Sequence, residues 1–427
     1  MENRYEQYKD SGIAWIGEIP EHWKIGYVGK YFNEVNNRNT LQKETNTLQF
    51  KMGEIVCKSD GNSKYNPESI ESYNIVCPNT IMINGLNLSF DFISQRVALV
   101  KERGAITSAY LAMRPKDGCS PLFLTYLFKS YDYKKVFHSL GKGLRATLNY
   151  NIIRNELIII PPFLEQQSIA TYLDQKCSEI DELITLQEEM ITKLQSYKQS
   201  VITEAVTKGL DKNVPLKDSG IEWIGEIPEH WGICKLKNVF ILSTGTTPKD
   251  FDSISENDNY VNWFTPSDIL DTCNDLFSSQ RKLSEKVIYE NKISLFPVGT
   301  LLYVGIGASA GKVGYANENG YSNQQITGLI PLECYSRFYF YYLSVLKEKI
   351  RDNAFFTTLP IINNAYLGQE LIPYPTITEQ QSIADYLDQK CSEIDELISI
   401  KQQKIEKLKD YKKSLIFECV TGKRKVS

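Results

Sequence analysis

Residues 165–185 read EQQSIATYLDQKCSEIDELIT, and residues 379–399 read EQQSIADYLDQKCSEIDELIS, with nineteen of twenty-one positions identical. Leu173, Ile180, Leu194 and Val201 recur at seven-residue steps, as do Cys177, Ile184, Ile191 and Ala205. That is an a/d seam held for about five heptads, and it predicts one long helix over 165–208. The second copy continues the same seam through Leu387, Ile394, Leu408 and Leu415, and through Cys391, Ile398, Ile405 and Cys419. An apolar stripe this long needs a partner along its whole length, since each Å² left in water costs about 25 cal/mol. The nearest matching stripe is the other copy. We therefore expect the two helices to pair antiparallel through Leu173, Ile180, Ile184, Ile191 and Leu194 on one side and Leu387, Ile394, Ile398, Ile405 and Leu408 on the other. Gln187 and Lys401 occupy equivalent polar positions in the seam, as do Lys198 and Lys412, and polar seam residues set register. In the antiparallel arrangement Gln187 would fall beside Lys401.

A second segment is also written twice. Residues 8–23, YKDSGIAWIGEIPEHW, return at 216–231 as LKDSGIEWIGEIPEHW, fourteen of sixteen identical, whereas 24–160 and 232–372 hardly resemble each other. A repeated frame around two unlike inserts implies one architectural task done twice and two different things recognised. The expected division is 1–164, a first module; 165–208, a central helix; 209–378, a second module; and 379–427, a C-terminal helix.

Both inserts alternate short apolar runs with Pro, Gly and Asn breakers. Ile75-Val76, Thr80–Ile83 and Val97–Val100 read as short strands and turns in the first, Phe296–Gly299, Leu301–Val304 and Gln325–Thr327 in the second. Each also holds a helical stretch, 121–138 or 336–351, and returns through Leu157–Ile160 or Glu370–Ile372 to the long helix. The fold class is mixed α/β, with a pseudo-twofold internal repeat. At the entry to the second long helix, Thr378-Glu-Gln-Gln381 has the pattern of a capping box, while the first helix enters from Pro161-Pro162.

Composition is that of an ordinary globular protein of 427 residues, 42% hydrophobic and 11% aromatic. With no apolar run long enough for a membrane helix and no signal-peptide core in MENRYEQYKD, a soluble cytoplasmic chain is expected. Nine cysteines without a CxxC pair read as reduced, packed thiols. Net charge is −4, divided as +4 over 1–164, −4 over 165–208, −5 over 209–378 and +1 over 379–427. The overall field offers a polyanion little attraction, so nucleic-acid binding would need local patches or a basic partner.

Two stretches come close to catalytic motifs. Ile160-Pro-Pro-Phe163 looks like the adenine-N6 methyltransferase motif, but that chemistry needs Asn or Asp before the prolines to accept from the exocyclic amine of a flipped base. Isoleucine cannot accept, and Ile372-Pro-Tyr-Pro375 lacks the residue too. Gly305-Ile-Gly-Ala-Ser-Ala-Gly-Lys-Val313 has neither dinucleotide nor phosphate-loop spacing, and Val313 stands where a Walker loop needs Ser or Thr. It reads as a turn between strands or as a backbone loop set against a nucleic-acid phosphate or groove. His22 and His230 are repeat equivalents inside Glu-His-Trp, and His138 stands alone. No nucleophile–base set or metal-ligand spacing emerges, so no catalytic residue or metal site is expected in this chain.

The repeated WIGEIPEHW (15–23 and 223–231), the two EQQSIA-to-EIDELI helices and the unlike inserts together resemble the specificity subunit of type I restriction–modification enzymes, over essentially the whole chain. The resemblance implies two target-recognition domains, each reading one half of a bipartite double-stranded DNA sequence, joined by two antiparallel helices that set the spacer. It implies two methyltransferase subunits docked on the frame and a restriction and translocase subunit that joins them. S-adenosylmethionine, ATP and magnesium would belong to those partners, with no cofactor in this chain and no membrane association. A two-module protein scaffold and an orphan DNA-binding protein are the alternatives.

Family motifs do not fix base-reading residues, so these follow from chemistry alone. In the first module the candidates are Arg103, Thr107 and Ser108, and the Gly-flanked Lys142, Arg145 and Asn149. In the second they are Thr246, Thr247 and Lys249, then Ser309 and Lys312, then Asn323 and Gln325, which as strand residues would share a face. Cations suit phosphate or guanine, and amides suit adenine. The repeated Trp15, Trp23, Trp223 and Trp231, with the outer faces of the helices, are the expected docking surfaces for partner subunits.

Overall fold

The computed structural model describes residues 4–426 apart from 41–42, 59–69, 142–145, 249–258, 271–273, 353–354 and 357–359. It divides into two compact units, Met1–Glu188 with Gln402–Ser427, and Glu189–Lys401. The long helices are Phe163–Lys208 and Ile377–Val420, so each contributes a half to either unit. Among the described residues no helix is long and apolar enough to cross a membrane.

In the first unit a four-stranded antiparallel sheet runs in the order Phe32–Glu34, Leu111–Pro115, Ile81–Ile83, Val97–Leu99. Helix Pro121–Tyr133 packs on it, started by Ser120, whose hydroxyl accepts from Phe123 N, and by Pro121 at the first helical position. Its side chains Phe123, Leu124, Leu127 and Phe128 are buried in one core with Leu173, Cys177 and Ile180 of the first long helix and Leu415, Ile416 and Cys419 of the second. The duplicated segment forms a hairpin, Tyr8–Asp10 against Glu18–Pro20. Strand Lys24–Tyr27 then pairs with Leu157–Ile160, which delivers the chain to the long helix.

The second unit repeats this plan with a larger sheet. Phe240–Thr244, Ile326–Pro331, Leu301–Val304 and Val313–Ala316 are antiparallel neighbours, and Asn274–Leu276 adds a parallel edge. A second sheet orders Lys282–Ser284, Tyr260–Phe264 and Gly320–Ser322. Helix Ser336–Asp352 covers the first sheet, and hairpin Leu216–Asp218 with Glu226–Pro228 and pair Gly232–Lys235 with Leu371–Tyr374 reproduce the frame. Phe296–Gly299, expected among the short strands and turns, forms no strand: Phe296 bridges to Gly320, Gly299 N donates to the Ala316 carbonyl, and Thr300 N closes a turn on the Pro297 carbonyl.

Within each unit the helix halves run antiparallel with the seam inward. In the second, Lys198 Nζ reaches both oxygens of Asp395 at 2.8 and 2.7 Å, while Lys401 Nζ lies 3.2 Å from Met190 Sδ. In the first, Lys412 Nζ reaches Asp181 at 2.7 and 2.6 Å. These two ion pairs are repeat equivalents: each seam lysine leaves the apolar stripe and fixes register on a carboxylate of the opposite helix. Gln187 is buried, and Ile184, Ile191, Leu194, Ile398 and Leu408 are half-covered, so the seam thins toward the helix midpoints.

The start of the second helix corrects the expected capping box. Thr376, not Thr378, is the cap: its Oγ1 accepts from Glu379 N at 3.3 Å and Glu379 Oε2 accepts from Thr376 N at 3.2 Å. The frame moves two residues because Pro375 ends the preceding strand and leaves Thr376 in the cap position.

Reversing Lys412 to Glu sets a carboxylate beside Asp181 and should lower stability by about 1–2 kcal/mol. The double exchange Asp181→Lys with Lys412→Glu should recover most of it, as read by thermal unfolding. Equal losses in single and double variants would remove the register role.

Candidate nucleic-acid interface

Three connections leave one end of the sheet in the second unit. Thr244 pairs with Thr327, Val304 with Ile326 and Tyr303 with Val313, so residues 245–248, 323–325 and 305–312 emerge together. Gly245 lets two of them touch: a Cβ there would run into Ser322 Oγ and the Asn323 carbonyl. Thr246 N donates to the Ser322 carbonyl at 2.8 Å, and Thr247 Oγ1 donates to Gln324 Oε1. Ser309 and Lys312 sit half-buried on the glycine loop, where Gly307 and Gly311 adopt φ of 103° and 93°. Gly311 N donates back to the Val304 carbonyl at 2.9 Å and a strand follows, so the loop is a turn between strands rather than a phosphate cradle before a helix.

Asn323 and Gln325 do share a side, but through turn chemistry, since residues 323–325 lie between strands rather than within one. Asn323 Oδ1 accepts from Gln325 N at 3.1 Å and its Nδ2 donates to Gln325 Oε1 at 3.0 Å. Asn323 is thereby buried as a structural amide, and Gln324 is the exposed one.

Sequence reasoning passed over Asn363 and Asn364. Asn364 Nδ2 donates to Thr244 Oγ1 at 2.9 Å and its Oδ1 accepts from Thr327 Oγ1 at 2.6 Å. With Gln324 and Gln325 these side chains line a cleft of about 380 Å³ at the sheet end. Ile306, Ile361 and Ile362 line the same cleft, so amides and hydroxyls, several bonded to one another, stand there among apolar side chains; amides are the groups that pair with base edges. The available signal was an Asn pair following an apolar run, in the place where Asn149 precedes a short helix in the first module.

The first unit presents the corresponding sheet end. Ile83 pairs with Val97 and with Leu111, so residues 84–96 emerge beside 107–110. Thr107 and Ser108 are half-buried here, with Thr107 Oγ1 accepting from Ala109 N at 3.4 Å. Asn149 caps helix Tyr150–Ile153, its Oδ1 accepting from Ile152 N at 3.1 Å, as Asn363 accepts from Tyr366 N at 2.8 Å. The bases of the two loops match as well: Leu148 N donates to the Gly85 carbonyl at 2.9 Å and Ile362 N to the Gly305 carbonyl at 2.8 Å. Arg103 does not belong to this group. It follows the opposite end of strand Val97–Leu99, and its Nε donates to Glu44 Oε2 at 2.8 Å, a bond that holds the Glu44 carboxyl below its usual range. Lys142, Arg145 and Lys249 lie outside the described residues.

The duplicated Trp residues serve the frame. Trp23 Nε1 donates to Glu165 Oε1 at 3.1 Å and His22 Nε2 lies 2.8 Å from Glu165 Oε2; Trp231 and His230 meet Glu379 Oε1 at 3.2 and 2.7 Å. The same rings touch the far end of the other helix. Gly422, at φ 71°, would set a Cβ 3.2 Å from Trp23, and Gly209, at φ 76°, one 3.3 Å from Trp231. Each indole therefore clips the start of one long helix to the left-handed stop of its antiparallel partner. The following glutamine completes the clip. Gln166 accepts from Ser120 N at 2.8 Å and donates to the Pro161 carbonyl at 2.9 Å, and Gln380 does the same with Tyr335 N and Pro375.

This corrects the docking expectation for two of the four tryptophans. Trp23 and Trp231 are 0% and 1% exposed and offer a partner no surface. Trp15 and Trp223 are half-buried, edge-on to Tyr131 at 4.6 Å and tilted on Tyr342 at 5.6 Å.

Comparisons with known proteins meet this architecture. A family model described as the type I restriction modification DNA specificity domain matches residues 228–410. The type I restriction enzyme MjaVIII specificity subunit of Methanocaldococcus jannaschii is 25% identical over 433 residues, covering 96% of this chain and 94% of that one. The MjaIX specificity subunit of the same organism is 31% identical over 188 residues, 43% of this chain and 42% of its own. A solved structure titled for complex assembly and conformational transition of the type I R-M system aligns with TM-score 0.72 at 17% identity, over 95% of this chain and 99% of that one. The HsdS subunit from Thermoanaerobacter tengcongensis aligns with TM-score 0.53, also at 17% identity, over 95% and 98%. Over nearly its whole length the chain is similar to type I restriction enzyme specificity subunits, its residues 228–410 match their DNA specificity domain, and it shares their two-module fold with paired helices.

Burial raises the Glu379 carboxyl, but bonds from His230, Thr376 and Trp231 outweigh it and hold the group below its usual range. A depressed pKa gives stability that is present above the unfolded-state value, about 4.3, and is lost as pH falls through the folded one. Glu379→Gln should therefore cost about 1 kcal/mol at neutral pH and unfold with a shallower acid dependence below about pH 4.5. Parallel melting-temperature profiles for both proteins would exclude this linkage.

Proposed function

We propose that this chain supplies DNA sequence specificity to a type I restriction–modification complex, with each module reading one half of a bipartite duplex site. The observation that carries the reading is the contrast between frame and loops. The clips, the seam lysines and the sheet-end topology occur twice, while the loops at the two sheet ends share the capping asparagine, Asn149 or Asn363, and otherwise carry different candidate reading residues. In the first module the candidates at that end are Thr107, Ser108 and Asn149. In the second they are Thr246, Thr247, Ser309, Lys312 and Gln325, now joined by Gln324 and Asn364. Amide pairs there suit adenine, and hydroxyls and lysine suit phosphate and guanine.

The chain itself is non-catalytic in this proposal. Two methyltransferase subunits bring S-adenosylmethionine and the adenine chemistry, and a restriction and translocase subunit brings ATP and magnesium chemistry. Docking uses apolar groups on the outer helix faces. Leu183, Leu186 and Tyr411 are about half exposed in the first unit, and their repeat equivalents Leu397, Ile400 and Tyr197 in the second. A twice-repeated apolar set fits one partner binding twice.

Mapping methylated adenines across a genome, with and without this gene, tests the reading. A bipartite motif that depends on the gene is expected, and methylation indifferent to the gene would sink it. Inserting four residues near residue 190 adds about 6 Å of helix and should lengthen the spacer by about one or two base pairs, leaving both half-sites intact. Altered half-sites with an unchanged spacer would refute the ruler role. Replacing Leu183, Leu186, Leu397 and Ile400 with Asp should abolish co-purification with the methyltransferase and leave the melting temperature unchanged. Retained co-purification would overturn the docking assignment.

A further inference from the structure

The loop 86–95 of the first module carries the most exposed large apolar group of the described chain, Ile93 at 94%, with Phe90 at 76%. Singly exposed apolar residues are ordinary, but these two stand on a loop built to hold them out. Arg96 is fully buried beneath it and donates from Nη1 to the Asn84 and Leu86 carbonyls at 2.9 and 2.8 Å, and from Nη2 to the Asp91 carbonyl at 2.5 Å. Asp91 Oδ1 accepts from Ile93 N at 3.1 Å and Ser94 N at 3.0 Å. His138 stacks on Phe92 at 4.7 Å, and Lys135 Nζ donates to the Phe92 carbonyl at 2.5 Å. At the root, Leu88 is buried and its N donates to the Ala146 carbonyl at 3.0 Å. Three carbonyl bonds from the two Nη atoms fix the backbone path although the buried Nε has no partner, and the path leaves Phe90 and Ile93 exposed.

This loop is the counterpart of the glycine loop in the second module. Each begins just past a strand at a glycine, Gly85 or Gly305, whose carbonyl accepts from the residue before the capping asparagine of the short helix. Asn84 N donates to the Arg96 carbonyl at 2.8 Å, as Val304 N does to Lys312. Root and position are therefore common, and content is not: LNLSFDFISQ stands against IGASAG. A partner subunit that docks alike on both halves would meet matching surfaces. A ligand whose two halves differ would meet unlike ones, and the ligand with two unlike halves is the bipartite DNA.

We infer that Phe90 and Ile93 make the apolar contact of the first module with base edges in its half of the DNA target. The inference rests on the specificity-subunit reading and names a contact within it. Aromatic and aliphatic groups of this kind seat against thymine methyls in the major groove or part a base step in the minor groove. The neighbouring Lys135 places a cation at the loop for the flanking phosphates.

The test is the methylated-adenine map of cells carrying the full chain as Phe90→Ser/Ile93→Ser. At the original sites methylation should fall about tenfold, the first half-site should relax at one or more positions, and the second half-site and spacer should stay as they were. If methylation disappears altogether, Phe90→Leu/Ile93→Val must restore it at the original or a related first half-site. An unchanged first half-site, changes in the second, or loss of methyltransferase co-purification would each overturn the assignment. Failure of the unsubstituted chain to direct any bipartite methylation would instead end the specificity reading itself, and the loop contact with it.

Discussion

Neither long helix can bury its own apolar stripe, and the rest of the structure follows from that constraint. In the first unit the stripe of residues 163–188 is covered by 402–420, and in the second the stripe of 189–208 is covered by 377–401. Each core is therefore built from two distant parts of the sequence, one from each copy. A single repeat would leave half of every seam in water, at a cost that grows with each exposed leucine and isoleucine. The seam alone, however, does not choose a register. Lys198 with Asp395 and Lys412 with Asp181 mark that register, one ion pair from each seam lysine to a carboxylate of the opposite helix.

The ends of the pair are held by a different device. Trp23 and Trp231 each join a helix start to the glycine stop of the opposing helix, with an indole N–H on a carboxylate and the ring against a residue that has no side chain. This gives WIGEIPEHW and EQQSIA a shared reason for being repeated unchanged: they touch one another. The buried glutamine that follows ties a backbone N–H of the module to the helix entry, so the module hangs from the same joint. In the second unit Arg337 adds a further tie. Its guanidinium bonds Asp275 and Asp388 and lies over Tyr315 and Phe340 at 4.9 Å, between sheet edge, covering helix and long helix.

What the sequence disclosed and what it concealed divide along the range of the interactions involved. The heptad seam was legible because a helix repeats its environment every few residues, so Leu173, Ile180, Leu387 and Ile394 announce their partner by spacing alone. The helical stretches expected over 121–138 and 336–351 and the core strands were legible for the same local reason, although the first is broken after Tyr133, where Lys135 turns left-handed before a short helix Val136–Leu140. The docking role given to Trp23 and Trp231 was wrong because repetition marks a shared contact without saying whether that contact is internal. Asn323 looked like a strand residue, yet it is a turn amide bonded two residues on, and no local pattern separates those states. Arg103 lies apart from the other candidates because strand direction, set by pairing with Ile81–Ile83, carries it to the opposite end of the sheet. The equivalence of Gly85 with Gly305, and of Asn149 with Asn363, could not be read from inserts that share almost no sequence.

That equivalence shows how a fixed frame can present variable content. The loop root needs a glycine because the backbone of the following short helix passes against it: a Cβ on Gly85 would lie 2.6 Å from the Leu148 carbonyl, and one on Gly305 2.8 Å from that of Ile362. The cap needs an asparagine because the helix N-terminus there exposes amide groups to be satisfied. Beyond those two positions nothing in the frame constrains the loop, so one module carries a ten-residue apolar tip braced by Arg96 and the other a short glycine turn beside a cleft of amides. Packing requirements end where the strands end, and past that line the choice of side chain is left to whatever each module must contact.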